Sequence, residues 1–486
     1  MNDRLYLTTA IPFVNGAPHL GHALEYVQAD VLARHARARG RPVRFLTGTD
    51  EHAAKNVQAA GAAAQDVERF VADNARRFRD LADSLQISYD DFIRTSADAR
   101  HRPAVESLWN RCATNGDLYR ATYGGWYCSG CEQFVDGACD EHDAAPRWVE
   151  EENWFFRLSR YAATLRDTIA SGELRIVPEE RANEVLAFLD RDVRDLSVSR
   201  VRSRVGDWGI EVPQEPSQLI YVWFDALANY VSALGFGGIA DDYQRWWRGE
   251  GERRHVIGKG IVRFHAVIWP AILLSAGEPI PTTLFVHDYV TANGRKIGKS
   301  LGNAVDPAAI VDAYGDDAVR WWLACEVPRI GEADFSERRL VDAANRDLAN
   351  GLGNLVQRVV ALAAKDEIGA AVPASDAWPL LGACNAGARA VDDALAQFDV
   401  RGACGALRAL VDEVNRAIER SRPWQLAGVE RAAVVAGLLE VTRRVVAEHE
   451  PFVPTLAQRC RERLGAGDQL VRSGPPVAPR LELAPA

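Results

Sequence analysis

The sequence predicts an α/β protein in which a parallel sheet is split by an insertion and followed by an all-α region. Three observations lead there. The N-terminal segment as far as His52 reads as strand, turn, helix and strand. A stretch rich in Tyr, Trp and Gly, holding a cysteine cluster, then breaks that rhythm before apolar strands followed by helices resume it. Beyond about residue 340, Ala, Leu, Val and Arg recur at three-to-four spacing with few strand signals.

Taken in order, "RLYLTTAIP" (4–12) alternates as a strand and meets the turn formers Pro12, Asn15, Gly16 and Pro18. In "HALEYVQADVLARHARARG" (22–40), Leu24, Val27, Val31 and Leu32 share one helical face, and Gly40 ends the helix. "PVRFLTGTDEH" (42–52) is a second apolar strand with a polar tip. A strand–helix–strand unit of this size is a right-handed crossover, the seed of a Rossmann-like sheet. Its ligands are expected at the carboxyl ends of the strands, where Pro12–His22 and Thr47–His52 fall. Residues 1–115 are thus expected to form the first half of the sheet domain and 116–218 the insertion. "LIYVWFDALANYV" and "RHVIGKGIVRFHAVIWPAILLSAG" place the second half in 219–288. A connecting region (289–345), a helical domain (346–470) and an extended Pro-rich tail (471–486) follow.

The chain has 486 residues, 48% of them hydrophobic, enough for two to four domains. No apolar run approaches the ~18 residues of a membrane span, and Arg4 interrupts anything resembling a signal peptide. A cytoplasmic protein is expected. In that compartment a disulfide framework is not, and Cys112, Cys325, Cys384, Cys404 and Cys460 read as core thiols. The formal charge of −10 argues weakly against a nucleic-acid partner, but binding depends on local patches such as "VNRAIERSRPW" (414–424). The only methionine is Met1, either a plain replacement by Leu or thrift in methionine itself.

Three motifs carry chemistry. "PHLGH" (18–22) puts His19 and His22 at the mouth of the first helix, where unpaired N–H groups and the dipole favour anions. Gly21 between them lets a planar group lie against the backbone. Taken alone, the pair is equally an ordinary couple of capping histidines. "NGRKIGKSLGN" (293–303) is more telling. Of 57 Lys and Arg only Lys55, Lys259, Lys296, Lys299 and Lys365 are lysines, and two of these, Lys296 and Lys299, lie three apart in a loop with three glycines. A compact ammonium on a flexible stem suits a polyphosphate whose geometry changes during reaction; a planar guanidinium does not. Finally, Cys128, Cys131, Cys139 and His142 offer three thiolates and an imidazole in two knuckle-like pairs, a closed tetrahedral set for one structural zinc.

Together, His19-Leu20-Gly21-His22 and Lys296-Ile297-Gly298-Lys299-Ser300 resemble the HIGH and KMSKS signatures of class I aminoacyl-tRNA synthetases. With "AIPFVNGAPHLGH", "FLTGTDEH", "YVWFDALANYVSALG" and "RFHAVIWPAILL", in that order, the whole chain resembles the methionyl-tRNA synthetases, in their one-knuckle zinc form. The resemblance implies a split Rossmann-like sheet with a zinc-knuckle insertion, a KMSKS and stem-contact region, and an all-α anticodon-binding domain. It implies that Mg·ATP and L-methionine give methionyl-adenylate, which then charges initiator or elongator tRNA-Met. His19, His22, Lys296 and Lys299 would stabilise phosphate charge, with Gly21, Gly258 and Ser300 also at the nucleotide. Asp50 would hold the methionine amino group. Ile11, Phe13, Trp223, Ala226, Leu227, Tyr230, Ile261 and His265 would line the thioether site. Trp269 reads instead as core. Asn354, Arg358 and Trp424 would read the anticodon. A monomer is expected, since the C-terminal extension of dimeric members is absent.

Five positions depart from the family pattern. Ile297 and Gly298 stand inside the KMSKS loop, Gly260 replaces an acidic residue near the ATP ribose, Phe13 lacks a tyrosine hydroxyl, and Ala53 replaces a glycine. They leave open a divergent second copy that activates an amino acid without tRNA, or a non-catalytic tRNA-binding protein. Intact outer lysines and intact Asn354, Arg358 and Trp424 count against both. Another class I synthetase, for a small apolar or sulfur amino acid, fits the Trp223–Tyr230 spacing less well.

Overall fold

The computed structural model describes residues 4–128, 133–135, 137, 145–191, 193–238, 241–292, 294–296, 305–365, 379–465 and 471–484. They fall in two compact units, one of Met1–Pro18, Ala36–Asp80 and Ser88–His287, the other of His19–His35, Leu81–Ile87 and Asp288–Ala486.

The first unit is built on six strands: β1 (Leu5–Thr9), β2 (Val43–Thr49), β3 (Asp91–Arg94), β4 (Arg175–Val177), β5 (Glu252–Gly258) and β6 (Thr283–His287). Their order is β3-β2-β1-β5-β6-β4, and each neighbouring pair is parallel. Every residue of β1 and β6 is buried, because helices cover both faces of a parallel sheet. The expected crossover is present: helix α1 (Leu20–Ala38) follows β1, and β2 returns beside it with Leu5 opposite Val43. The strand order reverses between β1 and β5, the switch point at which open α/β sheets bind ligands. Helices α2 (His101–Thr114) and α3 (Val222–Leu227) add buried side chains to a core that includes Trp109, Phe224, Trp247 and Trp269.

The described residues between Leu118 and Ile220 include an antiparallel sheet of Gln133–Val135, Leu118–Cys128, Arg147–Phe156 and Leu196–Ser197, and a second of Glu211–Val212, Glu215–Ile220 and Ser199–Val201. Between these segments the chain contributes β4 to the edge of the main sheet, against β6.

The second unit combines a small sheet (Arg295–Lys296, Val290–Ala292, Ala333–Phe335) with helices that include α4 (Asp316–Cys325), α5 (Asn354–Lys365), α6 (Val400–Ser421), α7 (Gly428–His449) and α8 (Pro454–Leu464). In α6, Val400, Ala403, Leu407, Leu410, Val414 and Ile418 give a buried stripe at helical spacing. The Asp399 side chain caps that helix by accepting the Gly402 N–H at 2.8 Å. Arg320 of α4 is wholly buried and fully used. It donates to the carbonyls of Phe452, Leu85 and Pro451 at 3.0, 2.8 and 2.7 Å, and pairs with Asp30 of α1 at 2.8 Å.

Two expectations about this unit change. Cys325 and Cys404, read as separate core thiols, are joined in a disulfide between α4 and α6, with Cα atoms 5.5 Å apart. Their separation of 79 residues gave no spacing signal, because only helix packing brings them together. The described residues of the Pro-rich tail, 471–484, hold no helix or strand, yet they are docked. Asn345 pairs with the Leu481 backbone through both its amide atoms, at 2.9 and 2.7 Å, and the Ala484 N–H reaches the Tyr314 hydroxyl at 3.1 Å. No helix among the described residues is long and apolar enough to cross a membrane.

Candidate active site

In the first unit, most residues expected at the thioether site come together beside the switch point. Trp223, on α3, stacks on Phe264 with ring centroids 3.6 Å apart and planes within 11°. Its edge meets Phe13, 6.1 Å away at 74°, and His265, 6.5 Å away at 87°. Ile11, Trp223 and Ile261 pack half-buried against a core that contains Leu227, Tyr230 and Phe264. Ala226, Leu227, Tyr230 and His265 are themselves buried. Trp269 is core, as expected, and completely buried.

Hydrogen bonds fix the protonation of His265. Its Nδ1 lies 2.9 Å from the Ile261 carbonyl, which only accepts, so Nδ1 carries the proton. Nε2 therefore accepts from the Tyr230 hydroxyl at 2.7 Å. Burial pushes the His265 pKa down to about 4, so the ring is neutral at physiological pH. Tyr230 is held on its other side by stacking on His255, 4.1 Å between centroids. Its carbonyl accepts the Tyr6 hydroxyl at 2.8 Å.

Asp50 follows the last residue of β2 and is buried. Its N–H donates to the Pro12 carbonyl at 2.9 Å, its own carbonyl accepts from Asn56 at 3.2 Å, and its Oδ1 accepts the His52 N–H at 3.3 Å. Gly258 closes β5, and Lys259–Ile261 make a single 3₁₀ turn in which Gly260 is exposed.

Sequence reasoning missed several side chains here. Phe264 carries the stack on Trp223. The Lys55 ammonium sits 3.9 Å above the Phe13 ring, a cation–π contact on the ring that lacks the usual hydroxyl. The rarity argument that singled out Lys296 and Lys299 applied equally to Lys55. Trp208 donates to the Glu51 carbonyl at 2.5 Å and meets the His52 ring edge-on at 5.8 Å.

In the second unit, the His19 and His22 rings stack at 3.8 Å and 26°. His19 Nδ1 accepts the Gly21 N–H and His22 Nδ1 accepts the His19 N–H, both at 3.1 Å. Each neutral ring therefore keeps its proton on Nε2, as a donor suited to anionic oxygen. A Cβ on residue 21 would lie 2.9 Å from His19 Cε1. The His19 ring folds over its own helix start, so a larger residue at 21 would have to displace that ring.

The other residues expected to be functional lie only partly within the described ones. The Lys296 backbone pairs with Thr291, while Ile297, Gly298, Lys299 and Ser300 lie outside. Cys128 ends its strand buried, and Cys131, Cys139 and His142 lie outside. Asn354 is exposed at the start of α5, and Trp424 is 51% exposed. Arg358, one turn beyond Asn354, donates to Asn415 Oδ1 at 2.9 Å and pairs with Glu419. An open concavity lined by Asp412, Asn415, Arg416, Glu419 and Arg420 runs along α6.

Comparison with known proteins agrees in sequence and in structure. The family model for class I tRNA synthetases (M) matches residues 5–139 and 135–360. The methionine–tRNA ligase of Brucella melitensis is 38% identical over 482 residues, 96% of this chain and 92% of that protein. That of Mycobacterium tuberculosis is 38% identical over 486 residues, 95% of this chain and 92% of that protein. The Mycobacterium tuberculosis methionyl-tRNA synthetase in complex with methionyl-adenylate superposes with a TM-score of 0.90 at 35% identity, covering 98% of this chain and 100% of that one. Its apo form gives 0.84 at 32%, covering 99% of each. With the same fold and more than a third of the residues shared end to end, this chain belongs to the methionyl-tRNA synthetases of class I.

Proposed function

We propose that the chain is an ATP-dependent methionine–tRNA ligase. A methionine carboxylate oxygen attacks the α-phosphorus of Mg·ATP in line, the bond to the bridging oxygen breaks, and pyrophosphate leaves methionyl-adenylate behind. The 2′-hydroxyl of the terminal ribose of tRNA-Met, initiator or elongator, then takes the methionyl group and AMP departs.

The observation that carries this reading is the aromatic cluster of Trp223, Phe264, Tyr230 and His265, joined at its edge by Phe13, whose backbone bridges to Asp50. Aromatic faces suit a polarizable thioether. A neutral His265 brings no charge against it, and Asp50 matches the ammonium of the amino acid. Ile11, Phe13, Ala226, Leu227 and Ile261 complete the apolar lining.

His19 and His22 donate through Nε2 to phosphate oxygens, and Lys296 and Lys299 follow the leaving pyrophosphate. This is electrostatic stabilisation, in which losing one such donor costs about 10²–10³ in rate. Gly21, Gly258 and Ser300 contact the nucleotide. Asn354, Arg358 and Trp424 engage the anticodon, by paired hydrogen bonds and base stacking. Three thiolates and an imidazole fit a structural zinc, and Cys128, Cys131, Cys139 and His142 hold it. Metal analysis should find close to one zinc per chain, lost on chelation at acid pH. The protein acts in the cytoplasm as a monomer, with domains at 1–115 and 219–288, 116–218, 289–345 and 346–470, and a tail at 471–486.

The test is ATP–pyrophosphate exchange with a panel of amino acids. Methionine should dominate, with leucine, isoleucine and cysteine weaker by at least two orders of magnitude. Equal stimulation by an amino acid without a thioether would overturn the assignment of the cluster.

A further inference from the structure

Three titratable side chains near the aromatic cluster, Asp225 and His101 buried and His52 partly so, take no part in the chemistry above. Asp225, on α3 between Trp223 and Ala226, accepts on both carboxylate oxygens. His52 Nδ1 lies 2.7 Å from Oδ2, and His101 Nε2 lies 2.6 Å from Oδ1. His101 is anchored in turn by Ser232, whose hydroxyl lies 2.9 Å from Nδ1. Asp225, His101 and Ser232 are nearly or wholly inaccessible to solvent. Burial alone would favour a neutral acid, yet the two imidazoles hold the Asp225 pKa below its ordinary value.

The chain of contacts ends at the predicted amino-group partner. The backbone N–H of His52 is the donor to Asp50 Oδ1, at a long 3.3 Å. At that length the contact is sensitive to where the His52 backbone is kept. The His52 ring keeps it there, bonded to Asp225 on one side and set edge-on against Trp208 on the other.

We infer that Asp225 is a positioning residue for methionine: through His52 it aims the Asp50 carboxylate, so one turn of α3 both lines the thioether site and orients the group that meets the ammonium. This rests on the reading of Asp50 as the amino-group partner. A residue that acts at one remove in this way typically shifts binding or activity by about 10–100-fold.

The test is ATP–pyrophosphate exchange by the full chain, with KM for methionine and for ATP measured separately. Asp225→Asn should raise the methionine KM about 10-fold while kcat and the ATP KM move less than about twofold. His52→Phe, which keeps a ring against Trp208 but cannot bond Asp225, should give the same shift. In the double variant the two shifts should not multiply. If Asp225→Asn fails to fold, His52→Phe carries the test alone. An unchanged methionine KM in the folded variants, or a parallel loss of all three constants, would overturn the inference and leave the pocket assignment standing. Absence of methionine-dependent exchange in the unaltered protein would instead remove the assignment and the inference together.

Discussion

His265 shows how a single ring is prepared by its neighbours. The Ile261 carbonyl fixes the tautomer, Tyr230 satisfies the other nitrogen, and burial removes the charge. Tyr230→Phe deletes the hydroxyl that donates to His265 Nε2. Leaving such a group unpaired costs about 1–3 kcal/mol, so urea denaturation should show a loss in that range and methionine affinity should fall with it. Unaltered stability would mean that Nε2 finds another donor. At this scale the sequence was informative wherever a residue type was itself unusual. Lys296 and Lys299 stood out by rarity, and Lys55 should have. The placement of the His19 ring over Gly21 was not legible, because no spacing reveals a rotamer.

Among the elements, the β1–α1–β2 crossover was legible because apolar runs, turn formers and a helical stripe agreed over a long window. Strand β4 was not: three residues, Arg175–Val177, carry no periodicity, and only the edge of β6 makes them a strand. The link between α1 and α4 was equally hidden. Asp30 and Arg320 lie far apart in sequence and meet as a pair with no exposed side-chain surface. Arg320→Met removes one ion of the pair, and the carbonyls of Phe452, Leu85 and Pro451 lose the N–H groups it donates. Breaking a buried pair from one side costs about 3–5 kcal/mol. Denaturant unfolding should register that loss, whereas a change under about 1 kcal/mol would place the pair among weakly contributing surface contacts.

Across the whole molecule, buried titratable groups set the response to acid. Burial pushes His265 and His449 down to about 4 and His255 well below its ordinary value. The unfolded chain therefore binds more protons than the folded one below about pH 6.5, and stability falls as pH drops through that window. Each histidine costs on the order of 2 kcal/mol by pH 5. Asp317 acts with the opposite sign. Burial and the nearby Asp316 raise it to about 6, so its protonation between pH 6 and 5 returns on the order of 1 kcal/mol. The histidines outweigh it, and thermal unfolding should occur at lower temperature at pH 5 than at pH 7. The reverse order would show that these rings protonate without unfolding.

The departures at Gly260, Ile297 and Gly298 make the complete two-step reaction the central claim. The most direct test is methionine-dependent ATP–pyrophosphate exchange run beside charging of purified tRNA-Met, with the zinc-replete protein. Exchange together with charging is the predicted result. Exchange without charging would contradict the ligase and leave an activating enzyme that has abandoned tRNA, and absence of both would leave a tRNA-binding protein without catalysis.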